Sequence, residues 1–283
     1  MSDKLGLSGC KLQILSDNVI RKYSANQNYN NRLSIQIDKQ NFFSKRIFSN
    51  IDTAKIIKKY NDELIYFDME YIIGCNYHEY FSVTSKKKIE KIFIAIDEYF
   101  DFLINNSKKY KPDVVKSKIK NKLLNFNNSQ YYFLIEFAVN YLDKLDIDIK
   151  KSFCHGDLTM TNILFHSQKI YLIDFLDSYI DTFVLDLIKL KQDLYYHWVL
   201  KINDIKDLRI YQCFNFIWSY IEKKYHEYLN NDAFYILELI NFLRIEPYLT
   251  NKNQRVILNN IIERTYLYDE FARSNGREVY KIS

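Results

Sequence analysis

The sequence is poor in the residues that break regular structure. It contains only five glycines and two prolines among 283 residues. Because glycine and proline interrupt helices and open loops, their scarcity predicts a mostly helical chain with few long loops. Each of the few glycines is then a candidate for a position where the backbone needs special freedom.

Paired cysteines and long apolar runs are also missing. No two of the four cysteines have CxxC spacing, which argues against a zinc ribbon or a disulfide framework. No stretch reaches the roughly 18 uncharged apolar residues of a membrane span, and the N-terminal segment MSDKLGLSG has no apolar signal core. We therefore expect a cytoplasmic protein with reduced thiols and no membrane partner.

The charge is too mild and too scattered for a nucleic-acid-binding protein. The net charge is +5 at pH 7, and the only tight lysine run is at residues 86–88. We interpret this run as the solvated first turn of a helix, so no nucleic-acid partner is expected.

Tyrosine and phenylalanine are abundant, with 25 and 20 copies, and the apolar pattern divides the chain into two regions. The first region is predicted to hold two short strands at residues 11–15 and 18–23, a helix at 32–43, and a strand or a strand pair at 64–73. Helical periodicity dominates later, at residues 88–105, 112–124, 129–145, 183–200, 208–229, 233–243 and 253–271. The pattern predicts an α+β protein with a small β-rich lobe at 1–74 and a larger, mostly helical lobe at 75–283.

Short strand-like runs interrupt the helical region at residues 151–154, 162–165 and 170–175, and the last two predict a β-hairpin. If Phe165 pairs near Ile170 or Tyr171, Asn162 lies near Asp174 at the open end of the hairpin. Oxygen ligands that converge from adjacent strands suit Mg²⁺, which shares its coordination with substrate phosphates. We therefore predict Asn162 and Asp174 as metal ligands.

The loop before the hairpin brings a further carboxylate to the same end. Asp157 lies in this loop, five residues before Asn162. A carboxylate there can accept a proton from an attacking hydroxyl or orient it, so we predict Asp157 as the catalytic residue.

These residues form a specific string, HGDLTMTN at 155–162 followed by YLIDF at 171–175. The string resembles the aminoglycoside phosphotransferase and choline kinase-like superfamily, which has the two-lobed protein-kinase-like fold. Asp186 followed by leucine is similar to the family element that supports the catalytic loop. LGLSG at 5–9 is similar to its phosphate-covering loop, and FDMEYIIG at 67–74 resembles the hinge that meets adenine.

The resemblance implies an ATP- and Mg²⁺-dependent kinase that phosphorylates a hydroxyl group of a small molecule. The implied nucleotide-binding residues are Gly6, Ser8, Gly9, Lys22, Glu70 and Ile72. Arg21 stays open as an alternative to Lys22 for holding the phosphates. No glutamate occupies the expected partner position of that cation, and the candidates are Gln36, Asp38 and Gln40. Asp177 either replaces a second metal-site acid of the family or caps a helix.

The acceptor pocket of this family is built by C-terminal helices, where we predict Asp193 and Arg244 as substrate contacts. Residues 173–178 and 189–193 resemble a bacterial branch associated with capsule and surface-polysaccharide biosynthesis, which favours a sugar, polyol or amino alcohol. The alternatives are an aminoglycoside-type antibiotic kinase and a non-catalytic nucleotide-binding scaffold. The acceptor, the choice between ATP and GTP, and the oligomeric state stay open.

Overall fold

The computed structural model describes residues 4–5, 10–126, 129–167 and 169–268. Gly6, Ser8 and Gly9 lie outside the described residues. The described residues up to Glu70 include a five-stranded antiparallel sheet with strand order β1-β2-β3-β6-β5 and a helix, α1. The strands and the helix are β1 Lys4–Leu5, β2 Cys10–Ser16, β3 Val19–Ser24, α1 Asn30–Ser44, β5 Ile56–Asn61 and β6 Ile65–Glu70. Leu33 and Ile37 of α1 are fully buried in a small core together with Phe67 of β6.

A second sheet connects the two regions of the chain. It has the order β4-β10-β9, where β4 is Ile51–Thr53, β9 is Ile163–His166 and β10 is Lys169–Leu172. β9 and β10 form the predicted hairpin, with Phe165 opposite Ile170. β4 runs parallel to β10 although it belongs to the N-terminal region. The boundary near residue 74 stays a prediction, since the two regions share this sheet.

The rest of the chain is helical, as predicted, and packs around one large apolar core. The helices are α2 Tyr77–Val83, α3 Lys86–Asn105, α4 Pro112–Leu124, α5 Tyr132–Leu142, α6 Phe183–Leu194, α7 Trp198–Ile202, α8 Leu208–Lys224, α9 His226–Leu229, α10 Asp232–Ile245 and α11 Lys252–Ile262. The lysine run at 86–88 is the first turn of α3. Within the described part of the chain, no helix is long and apolar enough to cross a membrane.

Several boundary predictions are wrong, and the single helix predicted at 208–229 is in fact α8 and α9, which are separated at Tyr225. The single helix predicted at 183–200 is two helices, because His197 adopts a left-handed backbone conformation with φ 56° between α6 and α7. The strand predicted at 151–154 is limited to Lys150–Lys151 (β8), which pairs with Lys108–Lys109 (β7). The residues after β8 instead form the loop that carries Asp157.

Candidate active site

The open end of the β9–β10 hairpin brings Asn162 and Asp174 together. The Ile173 N–H donates to the Asn162 carbonyl oxygen at 3.0 Å, which extends the hairpin by one step. Asp174 then adopts a left-handed backbone with φ 65°. Few non-glycine residues adopt this region, and such strain concentrates at functional sites. The Asp174 side chain is 40% exposed and faces the N-terminal sheet, where it pairs with Lys22.

Asp157 lies beside Asn162 and is fixed on both of its oxygen atoms. The Asn162 Nδ2 atom donates to the Asp157 backbone carbonyl at 2.8 Å and to its Oδ2 at 3.0 Å. The Lys189 Nζ atom lies 3.0 Å from Oδ1. Burial acts to raise the pKa of Asp157, but the Lys189 ammonium outweighs it and leaves the pKa below its ordinary value. The carboxylate is therefore ionised and held in one orientation.

The loop at residues 155–161, which carries Asp157, is held in place by hydrogen bonds to Asp186 in the first turn of α6. The carboxylate of Asp186 accepts the backbone N–H groups of His155 at 2.7 Å and Gly156 at 2.9 Å, and the Tyr99 hydroxyl at 2.6 Å. Burial raises the pKa of Asp186 to about 6 although these three donors lower it. This geometry matches the supporting role that the resemblance implies for Asp186.

Glycine is required at position 156. Its φ is +87°, and an added Cβ would lie 2.6 Å from the Leu176 carbonyl oxygen. A side chain there would push the loop away from the segment that follows Asp174. The glycine thus lets the two acid-bearing segments approach each other.

His155 organises the loop and is too deeply buried to act as a base. Its Nε2 atom lies 2.8 Å from the Ile173 carbonyl oxygen, and its Nδ1 atom accepts the Asp157 N–H at 3.3 Å. Since a carbonyl only accepts, the proton is on Nε2. Burial lowers the pKa of His155 to about 4, so the ring is neutral at physiological pH.

Asp193, predicted as a substrate contact, lies beneath the catalytic loop. Its side chain is in α6, is only 1% exposed, and accepts the backbone N–H groups of Met160 at 2.8 Å and Val199 at 3.3 Å. Burial raises its pKa to about 7. This position makes Asp193 a support of the loop, without the open face that a substrate contact needs.

The two adjacent cations of β3 point to opposite faces of the sheet, as strand alternation requires. Lys22 is 3% exposed; its Nζ atom contacts Asp174 and donates to Gln36 Oε1 at 3.0 Å. Arg21 instead forms an ion pair with Asp68 at 2.7 Å. Lys22 is therefore the cation on the side of the site, and Gln36 of α1 is its partner among the three candidates.

The predicted hinge follows β6. The Glu70 N–H donates to the Lys55 carbonyl at 3.0 Å, and Glu70 Oε2 accepts the Lys55 N–H at 2.9 Å. The Glu70 side chain thus binds the backbone of Lys55 at the edge of the sheet. Ile72 lies beyond the strand and is half-buried, and the adenine contact of both residues stays a prediction.

The side chains at the hairpin end offer oxygen ligands that fit a metal ion. Within the described ranges, no group of three His, Cys, Asp or Glu side chains is arranged for an ion. Asp174 offers a carboxylate, and the Oδ1 atom of Asn162 remains available because only its Nδ2 atom is engaged. Two hard oxygen ligands fit Mg²⁺, which keeps waters and takes phosphate oxygens for its other positions.

Sequence reasoning missed Lys189, although α6 carries a signal that could have found it. The charged residues Asp186, Lys189 and Asp193 have the spacing i, i+3 and i+7, which places them on one face of a helix. Every residue of α6 except Lys191 is buried. Charged residues are rarely buried unless they are paired, so their recurrence on an otherwise apolar helix indicates a site above it.

Arg244, the other predicted substrate contact, lies in the last turn of α10 and is half-buried. It forms no ion pair or hydrogen bond with any residue that the structure describes. Its charge is one of the causes of the lowered pKa of Asp157. The guanidinium group therefore lies within electrostatic range of the Asp157 carboxylate.

Comparison with known proteins finds a family model that matches part of the chain. The model of the phosphotransferase enzyme family, APH, matches residues 124–205, which include the catalytic loop, the hairpin and α6. No curated protein matches the chain at the level of sequence.

Three solved structures with the same fold cover most of the chain. A streptomycin–ATP complex of APH(2")-IIa has 13% identity and a TM-score of 0.56, and the match covers 93% of this chain and 90% of that one. A glucosamine kinase with glucosamine, ADP and phosphate has 9% identity, a TM-score of 0.55, and coverage of 94% and 80%. A putative fructosamine-3-kinase from Thermobifida fusca has 10% identity, a TM-score of 0.56, and coverage of 95% and 93%.

The predicted two-lobed α+β fold is confirmed by the solved structures, and the family model supports the predicted resemblance over residues 124–205. The prediction of an enzyme is confirmed at the level of a small-molecule phosphotransferase. The family model thus matches the segment that holds Asp157, Asn162 and Asp174, and solved structures share the fold along nearly the full length of the chain.

Proposed function

We propose that the protein transfers the γ-phosphoryl group of ATP to a hydroxyl group of a sugar, polyol or amino alcohol, with Mg²⁺ as cofactor. The observation that carries the proposal is the convergence of Asp157, Asn162, Asp174 and Lys22 at one end of the hairpin. These side chains come from the loop before the hairpin, from the residues just outside its two strands and from the N-terminal sheet. Such a set matches the parts that phosphoryl transfer requires.

Each residue has a distinct role in this proposal. Asp157 orients the acceptor hydroxyl and receives its proton, while Lys22 holds the phosphates of ATP. Asn162 and Asp174 would hold Mg²⁺, which neutralises phosphate charge when it is bound. Most of the rate acceleration comes from positioning and from fixed charges, because the transferred group needs little covalent help from the protein.

Lys22→Met should raise the KM for ATP by at least about tenfold, since a charged hydrogen bond to phosphate contributes roughly 1.5–3 kcal/mol. The neighbouring Arg21→Met is the matched control, because Arg21 pairs with Asp68 on the other face of the sheet. The KM of the control should stay near that of the wild type. Equal effects of both substitutions on the ATP KM would contradict the role of Lys22.

Lys189→Met should shift the acid limb of the kcat/KM profile to higher pH. The Lys189 ammonium holds the pKa of Asp157 down against burial. Without it the carboxylate protonates at a higher pH, so activity is lost earlier on acidification. Lys189→Arg keeps the charge and should restore the profile. An unshifted profile in Lys189→Met would remove Lys189 from this role.

The acceptor class is tested by ADP release from ATP with neutral sugars, sugar acids, polyols, amino alcohols and aminoglycosides. We expect turnover with a carbohydrate or polyol, and no turnover in Asp157→Asn. The bacterial surface-polysaccharide context rests on the resemblance of residues 173–178 and 189–193. Turnover restricted to aminoglycosides would favour an antibiotic kinase. Nucleotide binding without turnover of any acceptor would favour a scaffold.

A further inference from the structure

Three cationic side chains converge next to the catalytic loop with a single carboxylate between them. Arg32 comes from α1, Lys122 from the last turn of α4 and Arg244 from the last turn of α10. The carboxylate is Asp177, whose Oδ1 lies 2.6 Å from Arg32 Nε. Among the described residues, neither Lys122 nor Arg244 forms an ion pair.

The three cations are close enough to act on each other. Burial, then the charges of Arg244 and Arg32, lower the pKa of Lys122, and only Asp177 opposes them. The Lys122 Nζ atom also lies 6.0 Å from the ring centroid of Tyr179. The cluster therefore carries an excess of two positive charges in a half-buried position, where charges of one sign repel each other strongly.

A polar group in the same place has no partner. The Tyr179 hydroxyl is buried and accepts or donates no hydrogen bond among the described residues. The charge of Arg244 also acts on this phenol. Buried polar groups are nearly always hydrogen-bonded, so an unpaired hydroxyl beside unpaired cations indicates a position that a ligand completes.

Two carboxylates that could pair with Arg244 contact other residues instead. Glu246 lies two residues later, but its Oε2 atom accepts the Ser129 hydroxyl at 2.6 Å. Asp157, which the Arg244 charge also reaches, is held by Lys189 and Asn162. Among the described residues, neither carboxylate forms an ion pair with a cation of the cluster.

We infer that Arg32, Lys122, Arg244 and the Tyr179 hydroxyl bind an anionic group, a carboxylate or a phosphate, on the acceptor molecule. The inference rests on the proposed function and narrows its substrate to an acidic hydroxy compound, such as a sugar acid or a polyol phosphate. Arginine contacts both anions through paired N–H donors. The same charges repel a polycationic aminoglycoside, since like charges in an acceptor pocket disfavour the wrong partner.

Ligand binding to the full chain tests this without turnover. Glucose, glucuronate and glucose 6-phosphate, and likewise glycerol, glycerate and glycerol 3-phosphate, are titrated at constant ionic strength with saturating ADP, and kanamycin serves as the polycation. Binding is followed by the shift of the melting temperature. We expect at least one anionic compound to bind in the millimolar range or tighter, and better than its neutral counterpart.

The variants separate the cluster from other anion sites. Arg244→Ala and Lys122→Met should each weaken the binding of that anion at least about tenfold. Lys118→Met, an exposed lysine one turn earlier on α4, should leave binding unchanged. Comparison of the carboxylates, glucuronate and glycerate, with the phosphates, glucose 6-phosphate and glycerol 3-phosphate, identifies which anion the site prefers.

Three results would overturn the inference: no anionic compound binds, neutral compounds or kanamycin bind better, or anion binding survives both substitutions. The proposed function fails separately. Anion binding that depends on Arg244 and Lys122, without ADP release from any acceptor, would leave the anion site in place and remove the kinase activity. Turnover of neutral acceptors without anion binding would support the kinase activity and remove the anion site.

Discussion

Asp157→Asn should lower kcat by at least about a hundredfold, because an amide cannot receive the proton of the acceptor hydroxyl. The substitution keeps the size of the side chain and leaves the loop contacts of Asp186 in place. Steady-state ADP release with the acceptor found in the screen measures the effect. Turnover within about tenfold of the wild type would remove Asp157 from the catalytic role.

The same substitution should also lower the melting temperature, for a reason that the contacts make specific. Oδ1 of Asp157 faces the Lys189 ammonium, and Oδ2 faces the Asn162 amide group. Both partners are donors, so either orientation of an asparagine turns its NH₂ group against one of them. Lys189 is only 11% exposed, and a buried cation without its partner is costly.

A double variant separates the loss of stability from the loss of chemistry. Asp157→Asn combined with Lys189→Met removes the unpaired cation together with the carboxylate. We expect the melting temperature to recover towards that of the wild type while kcat stays low. If kcat recovers together with stability, the single substitution had acted by disturbing the loop, and the catalytic assignment would be wrong.

How far the sequence predicts the site depends on whether the contacts are local or distant. The hairpin register follows from strand alternation over residues 163–172, so the meeting of Asn162 and Asp174 could be predicted. The catalytic loop lies directly before it, and the position of Asp157 follows. The resemblance added the role of Asp186, whose contact with Gly156 spans 30 positions.

Contacts between distant elements could not be predicted in this way. The Lys189–Asp157 pair depends on how α6 packs under the loop, and the cation cluster depends on three helices that are far apart in sequence. Periodicity gives the buried face of each helix but not which element that face meets. Strand β4 was missed because three residues give no periodic signal, and its pairing with β10 joins positions more than a hundred residues apart.

Strand alternation reduced the choice of the phosphate-holding cation to one of two adjacent residues, and the structure shows which of them faces the site. Adjacent residues of β3 must face opposite sides of the sheet, so only one of Arg21 and Lys22 could reach Asp174. The structure selects Lys22 because α1 covers that face and supplies Gln36. Because Gln36 stands where the resemblance leads one to expect a glutamate, Lys22 has one carboxylate partner, Asp174, and lacks a second one from α1. The pair with Asp174 is therefore more important.

Asp174→Asn should abolish the dependence of ATP affinity on Mg²⁺. Asp157 at the same end is already held by Lys189 and Asn162, so Asp174 supplies the charged oxygen to the cation, and charge carries most of the attraction to a divalent ion. Asn162→Ala should reduce the dependence less, because it removes a neutral ligand. Calorimetric titration of ATP with and without Mg²⁺ measures the difference directly and needs no turnover.

Asparagine is the informative substitution at this position because of the backbone. Asp174 has φ 65°, a region that asparagine adopts more readily than alanine. An amide oxygen can also still accept a hydrogen bond from Lys22, whose buried ammonium would otherwise lose its only carboxylate partner without a replacement. The variant thus removes the charge while it preserves the loop and the Lys22 contact. A Mg²⁺ effect in Asp174→Asn equal to that of the wild type would mean that the cation is held elsewhere, and Asp177 would then be the next carboxylate to replace.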